Sequence, residues 1–161
     1  MRIIPAILLM LVSWVALADV LLADRVVVNK TERRLYLMQK DQVLKSYKIA
    51  LGLIPEGHKV REGDFRTPEG DYLLTRRVID SDFFMSIMVS YPNPADYTNA
   101  RKLGVSPGGN IMIHGQPNQP KKTASYYANY DWTDGCIAVS NKAMTEIWQL
   151  TTVDTPVSIL P

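Results

Sequence analysis

Cys136 is the one cysteine of this chain, and it sits in the run Thr133-Asp134-Gly135-Cys136. Upstream, the apolar run Ile111-Met112-Ile113 leads into His114-Gly115. A thiol attacks a carbonyl only as the thiolate, so it needs a base or a lowered pKa. Of the two histidines, His58 and His114, the second ends a buried-type strand and is followed by a residue with no side chain. Gly115 and Gly135 both permit close approach of another group. Gly135 also frees the backbone so that N–H groups near Cys136 can meet a developing oxyanion. The chemistry this pattern offers is acyl transfer, with Cys136 as nucleophile and His114 as general base. The plain alternative for the thiol is a small buried residue. For His114 it is a satisfied strand-end histidine.

The N-terminus bears on that choice. Met1-Arg2 gives a positive start, residues 3–18 are apolar apart from Pro5 and Ser13, and Ala16-Leu17-Ala18 is a small-x-small cleavage pattern. Residues 1–18 therefore read as a secretory signal peptide, which puts the mature chain, 19–161, in the periplasm or cell envelope. An uncleaved anchor is the other reading, and it reaches spanning length only by including Asp19. Exported proteins pair their thiols or avoid them, so a lone thiol there needs a reason. The net charge is +2, or +1 once Arg2 leaves with the signal. That balance argues against a nucleic-acid binder driven by phosphate neutralisation.

The elements that must position these groups are mostly strands. Residues 25–29, 35–38 and 43–51 are short β-type runs with tight connections, which suggests an antiparallel meander. Residues 53–70 are loop-like, with Pro55, Gly57, Gly63, Pro68 and Gly70. Strand-like runs follow at 71–78, within 82–91, and at 111–113. A short helix is expected from Asn93 or Pro94 to Arg101. Residues 116–132 form a long polar loop holding Tyr126, Tyr127, Tyr130 and Trp132. Ser140 or Asn141 can cap a helix whose apolar face carries Met144, Ile147, Trp148 and Leu150. Residues 157–160 are a last strand. The expectation is a mainly β single domain, a sandwich or barrel with one or two short helices.

Taken together, Ile111-Met112-Ile113-His114-Gly115 and Thr133-Asp134-Gly135-Cys136-Ile137-Ala138-Val139-Ser140-Asn141 resemble the L,D-transpeptidase catalytic domain, the YkuD family. Gly63-Asp64-Phe65-Arg66-Thr67-Pro68-Glu69-Gly70, Ser90-Tyr91-Pro92-Asn93 and Thr155-Pro156-Val157 are similar to further segments of it, in the same order. The resemblance runs over about residues 24–161. It implies that Cys136 attacks the bond after the third residue of a peptidoglycan tetrapeptide stem and releases D-alanine. The acyl group would then pass to an amine or to water, with a stem peptide, a D-amino acid or a wall-linked protein as partner. It further implies that His114 is the base, that the Gly115 carbonyl orients its ring, and that the Gly135 and Cys136 N–H groups form the oxyanion hole. Tyr91, Asn93, Trp132, Thr133, Asp134 and Asn141 match positions near the family's cleft and are candidate substrate contacts. Packing is the alternative for the aromatics and capping for Asn141.

Two departures stand out. Asp134 occupies the place where the family usually has histidine, and Ala138 the place where many members have arginine. An arginine there could hold a substrate carboxylate. Asp134 could attract a cationic amine, help fix the loop, or serve only as a turn residue before glycine. A carboxylate beside a thiol raises its pKa. No cofactor is expected: the chain has no HExxH, no paired-cysteine spacing and no phosphate-cradling glycine motif. His58 reads as a surface residue without a partner. A sortase would need an arginine after the cysteine, and the only basic residue from Cys136 onward is Lys142. Papain-like and NlpC-like peptidases place cysteine before histidine, the reverse of this order. A non-enzymatic wall-binding module remains as the reading in which the site is degenerate.

Overall fold

The structure is a computed structural model, and it describes residues 21–161. The expected signal peptide, 1–18, lies outside the described residues. Among those described, no helix is long and apolar enough to cross a membrane.

The chain begins with the expected meander. β1 (Arg25–Asn29), β2 (Arg34–Gln39) and β3 (Gln42–Lys48) pair antiparallel in sequence order. Alternation puts Val26, Val28, Leu35 and Leu37 on the covered face. Lys40 and Asp41 both take positive φ, 47° and 64°, in the two-residue turn that closes Gln39 against Gln42. That geometry matches the twist of a hairpin. β3 stops at Lys48, short of the expected Leu51, because the chain then leaves β2 and pairs elsewhere.

The remaining strands are β4 (Gly70–Val78), β5 (Ser86–Val89), β6 (Met112–His114), β7 (Ile137–Ala138) and β8 (Pro156–Leu160). They build one eight-stranded sheet in the order β3-β2-β1-β8-β4-β5-β6-β7. The β1–β8 and β6–β7 pairs are parallel and the others antiparallel. The sheet curls until its two ends meet: Ala50 and Ala138 exchange both backbone hydrogen bonds, at 2.9 and 2.8 Å. This closure is the barrel side of the sandwich-or-barrel expectation, and it brings the segment after β3 against the Cys136 region.

Three helices accompany the sheet, one more than expected. α1 (Pro94–Lys102) starts with a full capping box, Asn93 accepting from Asp96 N–H while the Asp96 carboxylate accepts from Asn93 N–H. α3 (Asn141–Leu150) is capped by Ser140, not Asn141, and buries Ala143, Met144 and Ile147. These join Leu74, Ile87, Ile113, Ile137, Val157 and Ile159 in the core. The unexpected α2 (Ala124–Asn129) lies in the 116–132 loop and buries none of its residues. A single capped turn with no buried stripe leaves no periodic signal to read. Lys30, 2% exposed, anchors the long loop by donating to the Gly57 and Thr67 carbonyls and to Glu69.

Candidate active site

The parallel β6–β7 register sets the site. His114 lies opposite Ala138, and Ile113 opposite Ile137. One step upstream, Cys136 comes beside Met112. Alternation then places Cys136 and His114 on the same face of the sheet, offset by two residues along the strands. The half-buried thiol points at the Asn110 carbonyl, 3.5 Å away.

His114 is enclosed. It is 1% exposed, with the Phe83 ring stacked on it at 4.0 Å between centroids and 26° between planes. Trp132 meets it edge-on at 5.6 Å. Burial pushes its pKa down to about 4, and the Gly115 carbonyl pulls weakly the other way. Nδ1 lies 2.7 Å from that carbonyl. A carbonyl can only accept, so Nδ1 carries the proton, and in the neutral ring Nε2 keeps its lone pair. The ring is therefore a neutral, oriented base. A side chain at position 115 would strike the Phe84 carbonyl and come within 2.8 Å of Asn141 Oδ1, so the carbonyl that orients the ring depends on glycine there.

The turn that presents the thiol is fixed by Thr133. Its hydroxyl donates to the Cys136 carbonyl at 2.7 Å and accepts from Gly135 N–H at 3.2 Å. Thr133 is 4% exposed, and its hydroxyl is engaged inside the turn. The Gly135 N–H likewise points into the turn and not into the cleft. Gly135 has φ +132°, and a Cβ on it would sit 2.6 Å from the Arg66 carbonyl. Burial pushes the thiol pKa up. The Met112 backbone and the charge of Lys59 draw it down, and exposed Asp134 raises it. At rest the pair is thus neutral thiol and neutral imidazole.

The other candidates divide into two groups. Trp132 belongs to the His114 cluster, and its indole N–H is buried without a partner. Asn141 sits behind Gly115, its Oδ1 accepting from Gln116 N–H at 2.8 Å, so it fastens the strand end that carries His114. Tyr91 and Asn93 lie in a second cluster. The Tyr91 hydroxyl donates to the Pro107 carbonyl at 2.9 Å and its ring packs edge-on against Tyr72, while Asn93 caps α1. Among the described residues, no hydrogen bond or ring contact ties either to His114 or Cys136. His58 is not a partnerless surface residue: its Nε2 meets Asp96 at 3.1 Å and its Nδ1 accepts from Glu69 N–H at 3.0 Å. The three tyrosines pack as loop anchors, Tyr126 stacked on Tyr130 and Tyr127 against Trp132 at 4.9 Å. A cavity of about 660 Å³ lies beyond them, between β3, α2 and the start of α3, with Ala138 but neither His114 nor Cys136 in its wall. Among the described residues, no group of three His, Cys, Asp or Glu is placed to hold a metal.

The sequence-level description of the YkuD family, L,D-transpeptidase catalytic domain, matches residues 23–159. The chain belongs to that family. The provisionally named L,D-transpeptidase YafK of Escherichia coli strain K12 is 33% identical over 129 residues, spanning 76% of this chain and 45% of YafK. Among solved structures, the helical cell shape determining protein Pgp2 from Campylobacter jejuni superposes with a TM-score of 0.62 at 29% identity, covering 83% of this chain and 46% of Pgp2. An L,D-transpeptidase from Xylanimonas cellulosilytica shares the fold, with a TM-score of 0.55 at 18% identity over 83% of this chain and 58% of that one. The chain thus spans about half the length of these relatives.

Membership in the family sharpens the two departures. Asp134, in the family's usual histidine place, is exposed and acts on the thiol by charge alone. Ala138 is buried in the β6–β7 pair opposite His114. Two residues near the site carried no signal in the sequence reading. Phe83 is one aromatic in an apolar run, and nothing local says that it covers a histidine 31 positions on. Lys59 sits in a Gly/Pro-punctuated loop where lysine usually means solvent, yet it is 3% exposed.

Proposed function

We propose that this domain is a cysteine-dependent L,D-transpeptidase of peptidoglycan. In this reading His114 Nε2 takes the Cys136 thiol proton as the sulfur attacks the carbonyl of the third stem residue. The Cys136 N–H is the first donor to the oxyanion, and the Gly135 N–H joins it on leaving Thr133. The tetrahedral intermediate collapses, the D-alanine amine departs with the proton held by His114, and a thioester remains on Cys136. An acceptor amine then gives a proton to His114 and attacks the thioester. Its collapse releases the crosslinked product and restores the thiol. The observation that carries this reading is a buried neutral imidazole, its Nδ1 held by Gly115, on the same sheet face as a lone thiol.

The same reading places the protein in the cell envelope, exported by residues 1–18, with stem peptides as its partners. Pgp2 is a determinant of cell shape, and a role in shaping the wall is proposed here by similarity. A second reading, with water as acceptor, is favoured by one feature. Ala138 leaves the site without the arginine that could hold an acceptor carboxylate, which would make the enzyme an L,D-carboxypeptidase or an amidase on wall-linked protein.

The test is product analysis by liquid chromatography–mass spectrometry on disaccharide-tetrapeptide muropeptides. Crosslinked dimers, or exchange of the terminal D-alanine for an added D-amino acid, support the transpeptidase. Tripeptides alone select the hydrolase. Products that persist in Cys136→Ala would overturn both.

A further inference from the structure

The loop from Lys59 to Thr67 touches the Cys136 turn directly at Gly135 and indirectly through residues 106–110, and one carboxylate organises it. Asp64 Oδ2 accepts from Val60 N–H at 2.8 Å and Arg61 N–H at 3.0 Å. Its Oδ1 accepts from Lys59 Nζ at 2.8 Å and Arg66 N–H at 3.1 Å. Both partners are shielded, with side-chain exposures of 4% for Lys59 and 9% for Asp64. Lys59 Nζ also donates to the Arg61 carbonyl at 3.2 Å. A buried charge pair with this many satisfied partners fixes a unique loop shape, because removing one member leaves the other charged and unpaired.

The loop passes that shape to the cysteine. On one side the Arg66 carbonyl abuts Gly135, leaving no room for a side chain there. Nearby, Gly52 N–H donates to Thr67 Oγ1 at 3.1 Å, and a Cβ on Gly52 would lie 3.2 Å from Gly135 Cα. Two backbone segments, around Gly52 and around Arg66, therefore converge on the turn before Cys136. On the other side, Glu62 N–H donates to the Ser106 carbonyl at 2.9 Å, and Gly108 packs against Glu62. Residues 106–110 continue to Asn110, whose carbonyl receives the Cys136 thiol.

We propose that the buried Lys59–Asp64 pair is the positioning device for Cys136, holding the loop that walls its turn. This rests on the reading of Cys136 as the nucleophile. The charges that bear on the sulfur are Lys59 from this loop, which favours thiolate, and Asp134 from its own turn, which opposes it. His114, from β6, is neutral. The loop also carries Arg61 and Glu62, exposed, and Arg66, half-buried. Asp64 itself is held low, to about 2: burial would raise it, but Lys59 and the three backbone N–H groups outweigh that. It stays ionised across the working pH range, so the pair does not switch.

The test is the pH profile of Cys136 alkylation by iodoacetamide in the purified protein, read by intact mass. Lys59→Met removes a cation that favours thiolate, so the profile moves to higher pH and alkylation at pH 7 slows. Lys59→Arg keeps the charge and stays near the parent profile. Lys59→Met alone strands Asp64, so the double variant K59M/D64N, which leaves no unpaired charge, is measured beside it; loss of the pair that shapes the loop should change its alkylation rate from that of the parent. A folded Lys59→Met with an unshifted midpoint overturns the proposal, as does a folded double variant that alkylates at the parent rate or a Lys59→Arg profile that moves with Lys59→Met. Alkylation needs no cell-wall substrate. A failed shift therefore leaves the transpeptidase reading standing, and absent muropeptide turnover leaves the positioning reading standing.

Discussion

Burial of His114 makes stability depend on pH with a definite sign and size. Its imidazole titrates at about 4 in the native state against 6.5 for an ordinary histidine. Above pH 6.5 both native and unfolded chains hold it neutral, and it contributes no pH dependence. Between pH 6.5 and 4 the unfolded chain takes up a proton that the native chain refuses, so stability falls as pH falls. Two and a half units at 1.36 kcal/mol each give a loss of about 3 kcal/mol by pH 4, with no further loss below it. The perturbation is His114→Gln, and the assay is urea unfolding of parent and variant at pH 7 and pH 4.5. Whatever packing penalty the variant has is the same at both pH values. Groups other than His114 titrate alike in the two proteins. The stability gap between parent and variant should therefore shrink by about 2–3 kcal/mol on going to pH 4.5. Parallel profiles would refute the claim that His114 is a neutral buried base, and with it the resting state of neutral thiol and neutral imidazole.

Two other predictions concern the turn. Gly135→Ala forces a side chain onto the Arg66 carbonyl at φ +132°, which costs about 1–3 kcal/mol in backbone strain and moves the thiol; thermal unfolding should fall and alkylation of Cys136 should change in rate, and an unaltered protein would show that the turn is slack. Asp134→Asn removes a charge that raises the thiol pKa, so the alkylation profile should move to lower pH, opposite in direction to Lys59→Met.

Local chemistry explains which parts of this molecule were readable before the structure. The meander follows from alternating Val26, Val28, Leu35 and Leu37 and from a turn that only a few residues separate. The capping of α1 by Asn93 and of α3 by Ser140 is written in the four residues that make each cap. Pairing between distant segments is not local. The β6–β7 register that sets Cys136 beside Met112 joins residues 24 positions apart, such as Ile113 and Ile137. The closure through Ala50 and Ala138 spans 88 positions and cut the β3 strand short of its expected end. Phe83 was unread for the same reason, since it stacks on a histidine remote in sequence, whereas the bonded partners of Lys59, Arg61 and Asp64, lie within its own loop. Tyr91 and Asn93, which the resemblance matches to positions near the cleft, have partners of their own, the Pro107 carbonyl for the Tyr91 hydroxyl and the start of α1 for Asn93. His58 found its partners, Asp96 and Glu69, across that same region.

The central claim is that Cys136 forms a thioester with a stem peptide. Intact-protein mass spectrometry after rapid mixing with disaccharide-tetrapeptide, followed by peptide mapping, tests it most directly. The account predicts a transient adduct equal to the disaccharide-tetrapeptide less D-alanine, mapped to Cys136 and absent from Cys136→Ala. An adduct on another residue, or product released by Cys136→Ala, would contradict it.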